Sequence, residues 1–167
     1  MFPKIKILTF FLVLNAAFFY VSAPAQTSVD NGSRNVVRVI DGDTLVLSPN
    51  EKVRLIGVDT PETKHPKKPV QCFGREAKEF MQRLAAGRKV RLELDQINAT
   101  TGHKDKYRRT LGYVYLEDGT FLNAEIIRQG YGHAYTRFPF RYLEEFRDLQ
   151  RQAREKGLGL WSWCRRE

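Results

Sequence analysis

The sequence predicts a β-rich α+β domain: five short strands closing a small barrel, with three helices attached. Three observations point there. Five β-prone runs are separated by turns and helices, with turn signals at Asp41-Gly42-Asp43, Pro49-Asn50 and Asp118-Gly119. One helical pattern falls after the third run, and two more follow the fifth. The 167 residues suffice for one domain with its own core, and no repeats or low-complexity tracts divide them.

Residues 1–25 stand apart as a signal peptide. Lys4 and Lys6 give a positive start, Ile7 to Val21 is apolar but for Thr9 and Asn15, and Ala23-Pro24-Ala25 suits cleavage near Ala25. An uncleaved anchor is the competing reading, but the run is short against the ~20 residues of a full span. The expected product is therefore secreted or periplasmic, with no membrane segment in its mature form. It has a flexible lead over 26–34, a folded domain over 35–162 and a tail over 163–167. A monomer is expected.

Val36 to Ile40 and Thr44 to Leu47 form strands joined by Asp41-Gly42-Asp43, a hairpin signal because Gly accepts positive φ. Lys52 to Val58 is the third strand. Pro61 cannot join a ladder, so this strand ends near Asp59 and leaves Asp59 and Glu62 around a rigid turn. Arg54 and Asp59 are five apart and would face opposite sides of a regular strand; a bulge or twist at Gly57 would bring them together. Residues 63–71 hold two prolines and a cluster of lysines, an exposed loop.

Ala77, Phe80, Met81 and Leu84 fall at helical spacing before Gly87. Lys89 to Leu94 alternates like a strand with one wet face, and Thr110 to Leu116 is the fifth strand. Asn123 suits an N-cap for a helix ending before Gly130. Tyr142 to Lys156 is amphipathic, with Trp161 packing beyond it. Five strands with a helix inserted after the third suit an OB-type barrel.

The net charge of +9 favours an anionic partner, nucleic acid before anionic lipid or a merely basic surface. Cys72 and Cys164 allow one bridge in an exported chain, or two free thiols. His65, His103 and His133 lack metal-ligand spacing, which argues against zinc. Asp43, Asp59 and Glu62 are oxygen donors at turns, with Arg54 and Arg109 as cations. Carboxylates alone suit a hard cation such as Ca²⁺, and guanidinium forks suit phosphate. The plainer readings also stand: Asp41 and Asp43 as turn formers, Arg54 as an ion-pair partner of Glu62.

Four blocks join these residues: Val39-Ile40-Asp41-Gly42-Asp43-Thr44, Arg54 through Glu62, Asp105-Lys106-Tyr107-Arg108-Arg109, and Ile127-Arg128-Gln129-Gly130. Together they make residues 35–162 similar to the staphylococcal nuclease (thermonuclease) family. The resemblance implies a Ca²⁺-dependent endonuclease on an OB-type barrel, cutting DNA and RNA with little sequence preference and leaving 3′-phosphate ends. It implies that Asp43, Asp59 and the Thr60 backbone carbonyl bind the metal, with Asp41 and Thr44 in an outer shell. Arg54, Glu62 and Arg109 would be catalytic, and Lys106, Tyr107 and Tyr135 would contact the substrate. A catalytically silent nucleic-acid-binding module is the alternative. The chain departs from the founding enzyme at Arg108 and Thr110, which replace glycines, in a shorter 132–138 segment with one fewer tyrosine, and in both cysteines. A bulky residue at a positive-φ turn is costly, which bears on the placing of Arg109.

Overall fold

A bent first strand makes closure possible in the structure, a computed structural model that describes residues 29–63 and 69–164. Strand β1 (Val29–Asp41) pairs antiparallel with β5 (Lys89–Glu93) through its first half and with β2 (Thr44–Leu47) through its second. Breaks in register between Asp30 and Arg34, Val36 and Arg38, and Val39 and Asp41 let it turn from one sheet edge to the other. Residues 29–34, expected as part of a flexible lead, are thus strand. Their backbone has a ladder to join, which composition alone does not reveal. The signal-peptide segment lies outside the described residues. Among those described, no helix is long and apolar enough to cross a membrane.

The barrel runs β1-β2-β3-β6-β5 and closes on itself, with β3 (Glu51–Leu55) and β6 (Thr110–Leu116) in parallel. That is the expected five-stranded barrel. Inward residues such as Leu45, Val53, Leu55, Val90, Leu92 and Val114 are at most 1% exposed. Three helices occupy the expected regions: α1 (Gly74–Ala85), α2 (Leu122–Arg128) and α3 (Leu143–Glu155). A one-turn α4 (Leu160–Trp163) follows, and a 3₁₀ helix (Gln96–Thr101) was not expected either. Its N-cap is Asp95, whose carboxylate accepts the Ile97 N–H.

Three local expectations change. The third strand stops at Leu55, because Gly57 sits at φ 74 and turns the chain. Val58–Asp59 (β4) then pairs with His133–Ala134 (β7) outside the barrel. Gly42 does not use positive φ; it is needed because a Cβ there would sit 2.8 Å from Thr60 Cγ2. Asn123 is no cap, since the helix begins one residue earlier. Fully buried, its side chain accepts the Val114 N–H and donates to the Ile56 and Gly112 carbonyls, satisfying backbone groups where β3 leaves the barrel.

Cys72 and Cys164 form a disulfide, resolving the open choice. It ties the segment before α1 to the end of α4, so Cys164 is fastened to the domain rather than trailing from it. Trp161 packs edge-on against His133 and under Arg154.

Candidate active site

Two sharp turns bring the site together. The hairpin at Gly42-Asp43 presents Asp43, and the turn at Gly57 folds β4 back toward it. Close contact of Gly42 with Thr60 brings the second turn against the first. Asp43 is 6% exposed and fully engaged: Oδ1 accepts the Thr44 hydroxyl at 2.9 Å, and Oδ2 accepts the Thr60 N–H and hydroxyl at 3.0 Å each.

Arg54 curls over the Gly57 turn. Its Nη1 donates to the Leu55 and Val58 carbonyls at 2.9 and 2.6 Å, while Nη2 lies 3.2 Å from Asp43 Oδ2 and 3.5 Å from Asp59 Oδ1. A residue pair that a regular strand would separate is thus joined by one glycine turn. The ion pairs of Arg54 go to Asp43 and Asp59, rather than to Glu62.

Arg109 reaches the same cluster from the start of β6. Its Nη1 donates to the Thr44 hydroxyl at 3.2 Å, and its Nε donates to Asp105 Oδ2 at 2.7 Å. Arg108 does take positive φ, at 62°. Asp105 holds the loop through that conformation by accepting the Tyr107 and Arg109 N–H groups at 2.9 Å. Burial opposes ionisation of Asp105, but these hydrogen bonds and the Arg109 charge outweigh it and lower its pKa. The contacts run unbroken from Asp105 through Arg109, Thr44, Asp43 and Arg54 to Asp59.

Glu62 and Asp41 border this chain. The Thr63 hydroxyl donates to Asp41, drawing the end of β1 beside Glu62. Burial raises the pKa of Glu62, and the charges of Asp41, Asp43 and Asp59 add to the rise. Asp59 is likewise raised by burial and then by Asp43, with Arg54, His133 and Arg137 opposing. Crowded carboxylates of this kind gain from any bound cation.

The expected substrate residues stand on two flanks. Tyr107 is 67% exposed, with Lys106 Nζ 5.0 Å and Arg109 Cζ 5.3 Å from its ring centre. Tyr135 donates its N–H to the Gly57 carbonyl, and its ring neighbours are Phe138 and Arg137. The loop cations Lys64, Lys67 and Lys68, with His65, lie outside the described residues. Asp105, Thr63 and Arg137 escaped sequence reasoning as site residues. Only Asp105 left a signal, its four-residue spacing from Arg109 with an intervening turn.

Two guanidinium groups set beside carboxylates on the rim of a small barrel form a donor set of the kind that can grip phosphate oxygens. Residues 52–163 match the family described as Staphylococcal nuclease homologue. A thermonuclease of Staphylococcus hyicus is 37% identical over 159 residues, covering 90% of each chain. A thermonuclease of Staphylococcus intermedius is 41% identical over 143 residues, covering 82% of this chain and 80% of its own. Endonuclease YncB of Bacillus subtilis (strain 168) is 37% identical over 130 residues, 75% of this chain and 59% of its own. The chain belongs to the staphylococcal nuclease family.

Proposed function

We propose that this nuclease is an exported, Ca²⁺-dependent endonuclease that hydrolyses DNA and RNA with little sequence preference, breaking the bond to the 5′ oxygen and leaving 3′-phosphate ends. The observation that carries this reading is the unbroken contact chain from Arg109 through Thr44 and Asp43 to Arg54 and Asp59. It joins two phosphate-binding cations to two carboxylates in one place.

The donor chemistry fits a hard cation. Asp43 and Asp59 each turn an oxygen toward the same Arg54 nitrogen, and mutual repulsion already favours a positive charge there. Among the described residues no group of three or more His, Cys, Asp or Glu side chains is disposed to hold a metal ion. The shell would therefore draw on Asp43, Asp59, the Thr60 carbonyl and water, with Asp41 and Thr44 behind them, an irregular set that Ca²⁺ tolerates. Bound there, the ion supplies Lewis-acid stabilisation of phosphoryl charge.

The protein's own groups do the rest. Arg54 and Arg109 grip the phosphate oxygens and stabilise the charge that builds in the transition state. Both are held by carboxylates in the free protein, so substrate phosphate competes for guanidiniums that are already oriented. Glu62 takes the proton of the attacking water or orients it, and burial with the neighbouring Asp41, Asp43 and Asp59 charges raises its affinity for a proton. Lys106, Tyr107 and Tyr135 contact terminal phosphate, sugar or base, and stacking on exposed rings requires no sequence. Cleavage near Ala25 would release a monomer to the periplasm or the medium.

Plasmid digestion tests this. Ca²⁺ supports cutting and chelator abolishes it, while Glu62→Ala slows turnover by about a hundredfold or more and largely preserves binding. Digestion that survives chelation refutes the metal role. Tight binding without cutting would instead mark a catalytically silent module.

A further inference from the structure

Glu62 lies three residues past the end of β4, beyond Pro61, where no strand ladder fixes it. What fixes it comes from later in the chain. Gln71 brackets its backbone from both sides: the Gln71 side-chain oxygen accepts the Glu62 N–H at 2.8 Å, and the Gln71 N–H donates to the Glu62 carbonyl at 3.1 Å. Gln71 in turn accepts the Gly74 N–H at the start of α1. Gly74 packs so closely that a Cβ there would meet the Glu62 carbonyl oxygen at 2.9 Å. Cys72, the next residue, is bonded to Cys164. The backbone of the base is thus clasped by a segment that is itself anchored to α1 and to the chain's end.

We infer that Gln71 is a positioning residue for Glu62, setting the backbone from which the carboxylate meets the attacking water. The inference rests on Glu62 acting in that step. The side-chain half of the clasp needs an acceptor at the end of a side chain of this length, which Gln and Glu share and Met lacks. A misplacement of about 1 Å at a reacting group costs up to about a hundredfold in rate, whereas phosphate gripped by Arg54 and Arg109 does not depend on Gln71.

Gln71→Met and Gln71→Glu, assayed on a single-stranded DNA oligonucleotide with saturating Ca²⁺, separate the possibilities. Gln71→Met is expected to lower kcat by roughly ten- to a hundredfold with KM within about twofold, and Gln71→Glu to keep most of the rate. In a Glu62→Ala background, Gln71→Met is expected to cause no further loss, because the group it positions is gone. Circular dichroism of each variant checks that the fold is retained. A wild-type kcat in Gln71→Met, or equal losses in the Met and Glu variants, overturns the inference. So does a further tenfold loss on top of Glu62→Ala. A crippled Glu62→Ala beside a normal Gln71→Met removes this inference alone, while a normal Glu62→Ala removes the role assigned to Glu62 and the inference with it.

Discussion

Asp105 shows how much one carboxylate settles. Its lowered pKa means that the ionised form favours the folded state at pH values above 3.8. That contribution fades as pH falls through the lower folded value. Asp105→Asn should therefore lower Tm at neutral pH, with the gap from wild type closing as the solution is acidified below 3.8, as thermal melts across pH would show. Asn123 is a second decisive residue. Asn123→Ala removes the side-chain partners of the Val114 N–H and the Ile56 carbonyl in the interior, while the Gly112 carbonyl keeps the Ile56 N–H, and urea denaturation should show a loss of about 3 kcal/mol. Its role was hidden in the sequence, because a polar residue before Ala124 and Ile126 reads as a cap. Which backbone groups lack partners emerges only once β3 and β6 lie side by side.

Among the elements, the β3–β4 turn decides the site. The run from Lys52 to Val58 reads as one strand because nothing in its apolar pattern marks the break, although Gly57 stood out as a point where the chain would bend. The glycine is doubly required: its φ is 74°, and a Cβ would lie 2.5 Å from the Phe140 ring. Gly57→Ala should cost about 2 kcal/mol in chemical denaturation and reduce activity with it, since the turn aims Arg54 at Asp59. The hairpin at Gly42 was legible from the Asp-Gly signal, though the glycine is required by its contact with Thr60 rather than by positive φ. Helix α1 was legible from helical spacing. The one-turn α4 was not, being too short to show a period, and β7 exists only because β4 offers it an edge.

At the scale of the whole molecule, the five-stranded barrel followed from counting strands and placing one helix among them, whereas the strand order and the Cys72–Cys164 link needed the structure. That bridge closes a loop with a sequence separation of 92, so replacing both cysteines by alanine should lower stability by about 4 kcal/mol. Equilibrium unfolding of the double variant under non-reducing conditions checks it. The barrel itself carries a lesson about timing. Strand β6 lies between β3 and β5, the keystone of the ring, yet it is the last of the five to be made. Everything before Thr110 can emerge first without the ring being able to shut, and Arg109 cannot settle against Thr44 until it does. The cutting geometry therefore waits on the arrival of this last strand, wherever the chain folds.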